Sequence, residues 1–132
     1  FALPEVKVGF LAAAGGIQRL TRQVGRSAAI EMLLTGRHVD ASEALSLGLA
    51  LKIVKQDQLI DAALEVANRI TLVSPSAVKA TKRVLNSMDN DINLKSSLRY
   101  SRDVVDELRK TEDFKEGVNA FVEKRKPTWK NK

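Results

Sequence analysis

The chain has 132 residues, 44% of them hydrophobic and 29% charged, which is enough for a soluble domain with its own core and too apolar for a disordered segment. No apolar run approaches the roughly 20 residues of a membrane-spanning helix, and with no cysteine and one histidine, His38, the chain holds neither a disulfide framework nor a cysteine or histidine zinc cluster. A net charge of +6 fits an anionic partner, whether nucleic acid, an acidic membrane or a phosphate-bearing ligand, and does not choose among them.

The first ten residues, FALPEVKVGF, carry no initiator Met and no signal-peptide pattern, and they read as the interior of a longer protein. Residues 1 to 12 alternate weakly, and Pro4 limits any strand there to a short end or edge piece. Gly15 and Gly16 open a helix with Ile17, Leu20 and Val24 on one face, which Gly25 stops. A second helix fits Ser27 to Thr35 and ends at Gly36. Asp40 and Glu43 have the spacing of an N-cap and its reciprocal partner for a third helix, closed by Gly48. Residues 49 to 55, LALKIVK, read as a brief strand.

From Asp57 onward the pattern is helical. Ile60, Ala63, Ala67 and Ile70 form one apolar stripe; Ser74-Pro75 restarts the helix, with the serine as cap and proline in the first turn. Asp89, Asn90 and Asp91 predict a turn, Leu94 to Leu108 a longer helix, and Thr111 the cap of a last helix with Phe114, Val118 and Phe121 on its apolar face. A basic tail follows, with Trp129 within it. Two parts emerge: residues 1–55, mixed and glycine-punctuated, and residues 56–132, helical, with more apolar stripes than they can bury alone.

LPEVKVGFLAAAGGIQRLTRQVG (3–25), AIEMLLTGRHVDASEALSLGLA (29–50), SPSAVKATKRVLN (74–86) and TEDFKEGVNAFVEKRKP (111–127) together resemble the enoyl-CoA hydratase/isomerase, or crotonase, family along essentially the whole chain. The resemblance implies the C-terminal portion of an α/β crotonase spiral. Residues 1–55 would end the core, with short strands, and residues 56–132 would form a helical oligomerisation domain building trimers or paired trimers. It implies hydration of trans-2-enoyl-CoA thioesters, with the CoA thioester as substrate and no further cofactor or metal.

Glu5 is the implied catalytic residue. A carboxyl with Phe1, Leu3, Val6 and Val8 nearby in sequence has the surround that lets it hold and release a proton near neutrality. Ala13, Gly15 and Gly16 would lie near the thioester, although family hydratases usually have Pro-Gly where this chain has Ala12-Ala13. Phe121 and Lys124 match positions that reach the CoA of a neighbouring subunit, where an aromatic face and an ammonium suit adenine and phosphate.

The family's oxyanion-hole donors and first glutamate belong to the N-terminal half, so this chain alone is expected to be inactive. Alternatives are a Δ3-Δ2-enoyl-CoA isomerase of the same family and a non-catalytic crotonase-like interaction module. Nucleic-acid binding through Lys79, Lys82, Arg83 and the tail ranks last, because it gives Glu5 and the glycine pair no role. No membrane contact is implied, and the address is the mitochondrial matrix or a bacterial-type cytoplasm; the Asn131-Lys132 end is no peroxisomal signal.

Overall fold

A computed structural model describes residues 1–88 and 93–132, and the turn expected at Asp89, Asn90 and Asp91 lies outside them. The described chain divides into two compact units, Phe1–Leu59 and Ile60–Lys132.

In the first unit a 3₁₀ turn, Pro4–Val8, precedes α1 (Gly16–Val24), α2 (Arg26–Thr35) and α3 (Ala41–Ser46), and a second 3₁₀ turn covers Gln56–Gln58. Leu20, Ala29, Met32, Val39 and Ala44 form its buried core, with Leu3, Val24, Leu33 and Leu47 packed around it. Asp40 caps α3 by accepting the Glu43 N–H at 2.8 Å. The reciprocal half of the expected capping box is not made, because the Glu43 carboxylate turns to Arg37 instead. Arg37 also bonds Glu31 through Nε, so one guanidinium joins α2 to α3.

Two strand expectations are corrected. The start forms a 3₁₀ turn around Pro4, and residues 49–55 run as bends and extended chain; no strand forms among the described residues. A ladder needs a neighbour to take its N–H and C=O groups, and neither segment has one here. The nearest approach is the backbone pair in which the Phe1 amine donates to the Val39 carbonyl and the Val39 N–H to the Phe1 carbonyl, both at 2.8 Å.

The second unit consists of α4 (Leu59–Thr71), whose first residue falls in the first unit, α5 (Pro75–Met88), α6 (Leu94–Leu108) and α7 (Glu112–Val122). The Ser74 hydroxyl accepts the Ala77 N–H, Thr111 accepts the Phe114 N–H and Asn93 accepts the Lys95 N–H, so α5, α7 and α6 each start on a capping side chain. α5 packs on α6 and on α7. The apolar stripes, however, point largely outward. In α4, Ile60 is 67% exposed while Ala62 and Val66 are its more covered residues, and in α6 Val104 is buried while Leu94 and Leu98 are exposed. No helix among the described residues is long and apolar enough to cross a membrane.

Candidate active site

The Pro4–Val8 turn carries Glu5. Proline at its first position fixes φ and sacrifices no hydrogen bond, and the turn closes when the Phe10 N–H donates to the Glu5 carbonyl at 3.0 Å. Glu5 is half-buried, and its Oε2 is a fully covered oxygen with no hydrogen-bond partner among the described residues. A buried carboxylate oxygen without a donor is costly, and such an atom calls for an explanation in function or in a missing partner. Leu3 and Val6, on either side of Glu5, line an apolar cleft of about 220 Å³ together with Leu11, Ala12, Ile17 and Leu34.

Two glycine positions set this geometry. Gly16 lies against Ala12 and Leu3; a Cβ there would stand 2.9 Å from the Ala12 Cβ and 3.2 Å from Leu3. Only glycine therefore lets the AAAGG loop and the Glu5 turn meet, and Gly15, at φ +87°, makes the left-handed step into α1. Ala13 is exposed on that loop, and its carbonyl accepts the Gly15 N–H at 2.7 Å. The structure thus gathers the Glu5 turn and the glycine pair in one unit.

Gly36 is the residue that sequence reasoning undervalued. It reads as a helix stop, yet it is buried under the Glu5 turn, and a Cβ would stand 3.1 Å from Val6, 3.2 Å from Lys7 and 3.2 Å from the Pro4 Cα. Its φ of +59° makes any side chain strained as well. Gly36→Ala is expected to displace the turn and misplace Glu5, lowering kcat of the intact subunit about tenfold while circular dichroism stays near wild type. Unchanged kcat would show that the turn tolerates the shift.

Phe121 and Lys124 lie in the second unit, at the end of α7. Phe121 is 85% exposed, and Lys124 is exposed with φ +54°, a left-handed backbone that glycine rather than lysine favours. The tail beyond it folds back along α7. Asp113, 1% exposed, accepts the Lys130 and Asn131 N–H groups on Oδ1, and on Oδ2 the Ser76 N–H with both the Ser74 and Ser76 hydroxyls. Burial pushes its carboxyl upward, but the bonds from Lys130, Ser76 and Asn131 outweigh burial and hold it below the ordinary value.

Glu116 takes a two-pronged bond from Arg125 and the Thr128 N–H, which bring its pKa down to about 2. The Trp129 indole donates to the Leu72 carbonyl at 3.0 Å. Asp113, Phe114, Phe121 and Trp129 border an apolar hollow of about 330 Å³. No group of three or more His, Asp or Glu side chains suited to a metal occurs among the described residues.

The enoyl-CoA hydratase/isomerase family model matches residues 1–132. A probable mitochondrial enoyl-CoA hydratase of Dictyostelium discoideum is 40% identical over 132 residues, covering 100% of this chain and 47% of the relative. A probable enoyl-CoA hydratase of Rhizobium meliloti is 41% identical over 133 residues, again across 100% of this chain and 51% of its own length. Among solved structures, an enoyl-CoA hydratase of Geobacillus kaustophilus superimposes with a TM-score of 0.91 at 36% identity, over 98% of this chain and 49% of that one. The chain thus spans about half the length of the relatives it matches. With its whole length matched and its helices superimposing, the chain belongs to the enoyl-CoA hydratase/isomerase family, as the C-terminal half of a crotonase-fold subunit.

Proposed function

We propose that the intact subunit containing this chain is an enoyl-CoA hydratase that adds water across the double bond of trans-2-enoyl-CoA thioesters, with Glu5 as one of its acid/base groups. The observation that carries this reading is the covered Oε2 of Glu5, without a partner among the described residues, on a turn whose neighbours Leu3 and Val6 line an apolar cleft. An oxygen so placed has a lone pair available for a water or substrate proton, and the surrounding apolar groups limit competition from solvent. In the addition, the water oxygen joins C3 and a proton joins C2. Glu5 is suited to hold one of the protons that move.

The remaining parts follow from the same reading. Ala13, Gly15 and Gly16 line the vicinity of the thioester. Phe121 and Lys124 contact the adenine and phosphates of CoA, including CoA held by a neighbouring subunit, and no cofactor other than the CoA-bearing substrate takes part. Residues 1–55 complete the catalytic core and residues 56–132 serve oligomerisation as trimers or paired trimers, which gives the outward-facing Ile60, Leu94 and Leu98 a surface to cover. The compartment in this reading is the mitochondrial matrix or a bacterial-type cytoplasm; one relative is named mitochondrial.

The test is the loss of enoyl-thioester absorbance on adding crotonyl-CoA. The intact subunit is expected to hydrate it, whereas the 132-residue chain alone shows no rate above background, because loss of even one oxyanion donor typically costs about a hundredfold or more. An intact protein that shifts a 3-enoyl double bond without hydrating crotonyl-CoA would be an isomerase. One that does neither while folded would be a non-catalytic module.

A further inference from the structure

The C-terminal end of α7 departs from what folding alone would select. The Lys124 N–H returns to the Phe121 carbonyl at 3.3 Å and the Arg125 N–H to the Ala120 carbonyl at 3.0 Å, a helix closure in which the left-handed position is normally glycine. Here a lysine occupies it at φ +54°. A non-glycine residue in this conformation persists when its surroundings over-determine it, and such positions cluster where a side chain is used.

The surroundings that do so are visible. Arg125, the next residue, bonds both oxygens of Glu116, nine residues back on α7, at 2.6 and 2.9 Å, and also bonds Glu123 on the near side. Glu116 Oε1 additionally accepts the Thr128 N–H at 2.7 Å. Arg125 and Thr128, both beyond Lys124, are therefore tied back to one carboxylate on the helix before it, and Lys124, within the chain so closed, cannot relax toward a right-handed backbone without straining that fork. Gly117, beside Glu116, lets the Trp129 ring lie close: a Cβ there would stand 3.3 Å from it, so the tail is seated flat on the helix. The ammonium of Lys124 and the exposed ring of Phe121 are thereby presented at the same helix end.

We infer that Glu116, acting through Arg125, is a positioning residue that holds Lys124 in its left-handed conformation so that Lys124 and Phe121 together receive the nucleotide portion of CoA. This rests on the reading of Phe121 and Lys124 as CoA contacts. Glu116 touches no substrate; it acts on the half of the ligand that is common to all acyl-CoAs and remote from the reacting carbons. Its removal therefore alters binding of the nucleotide and leaves the chemical step alone.

The experiment compares crotonyl-CoA with crotonyl-pantetheine, which bears the same reacting thioester without adenine or the nucleotide phosphates, on the intact subunit. Lys124→Ala and Glu116→Ala are each expected to raise KM for crotonyl-CoA about tenfold, the loss of one charge-assisted phosphate contact, with kcat within about twofold and the constants for crotonyl-pantetheine unchanged. If Lys124→Ala leaves KM for crotonyl-CoA unchanged, the CoA-contact reading fails and this inference with it. If Lys124→Ala raises KM while Glu116→Ala does not, the contact stands and the positioning role is overturned. A merely structural Glu116 would degrade both substrates alike, which also overturns it. Should Glu116→Ala fail to fold, Arg125→Gln breaks the same fork from its exposed side and reads the same outcomes.

Discussion

Glu5→Gln in the intact subunit is expected to lower the rate of crotonyl-CoA hydration by about a hundredfold or more while leaving KM within a few-fold. The substitution keeps shape and one acceptor oxygen but removes the group's ability to give up and regain a proton. Oε2 is covered and has no hydrogen-bond partner among the described residues, so glutamine there breaks no bond within them. Stability should consequently be unchanged or slightly raised, since a covered carboxylate is replaced by a neutral amide of the same shape. Activity and stability moving in opposite directions is the signature of a site residue. Equal activity in the variant would remove Glu5 from the mechanism, and a parallel fall in Tm and rate would mark it as structural.

The second large effect concerns the tail. Asp113→Ala is expected to lower the unfolding free energy by about 3 to 5 kcal/mol, the cost of leaving a set of buried donors without their anion. The side chain accepts five hydrogen bonds: the Lys130 and Asn131 backbone N–H groups, the Ser76 N–H, and the hydroxyls of Ser74 and Ser76. The hydroxyls can rotate toward water, but the backbone groups cannot. Asp113→Asn should be nearly as harmful, because its NH₂ would face donors where the carboxylate presented an acceptor.

Denaturant unfolding of the intact subunit measures this; a loss under about 1 kcal/mol would show that water replaces the carboxylate. The sign of the pH response follows from the depressed carboxyl. With its folded value below its unfolded one, Asp113 stabilises fully above the ordinary carboxylate range and its contribution is lost as pH falls through and below it.

Helix starts were the most legible part of the sequence. Asp40, Ser74-Pro75 and Thr111 are capping residues whose bonds are made within three positions, so short-range pattern suffices to find them. The ends at Gly25, Gly36 and Gly48 were equally local. What could not be read is long-range. Asp113 looks like an ordinary acidic residue of a first helical turn, and its burial is decided by residues 37 to 39 positions earlier and 17 to 18 later.

Glu43 fits a capping box by spacing, and only the fold brings Arg37 within reach to take its carboxylate away. The stripes of α4 and α6 give helix period correctly, but periodicity does not say which face a neighbour covers, and here the more apolar face is left outward. For the site, the carboxylate and the glycine pair were visible through the family resemblance. The support of Gly36 beneath the Glu5 turn was not, since a buried C-cap and an exposed one have the same sequence signature.

Arg37 has a consequence for how this corner of the protein can drift over generations. Its guanidinium serves Glu31 and Glu43 at once, and both carboxylates lie within reach of it immediately after Gly36. Loss of either glutamate leaves the other pair intact. Loss of the arginine leaves two like charges converging on one space, and a lysine cannot reproduce a fork that satisfies both. The three positions are therefore unequal in tolerance: either glutamate can be exchanged first, while the arginine becomes replaceable only once one of them has changed. Neutral drift at this corner is a path on which the arginine cannot take the first step, and it runs beside the glycine on which the Glu5 turn rests.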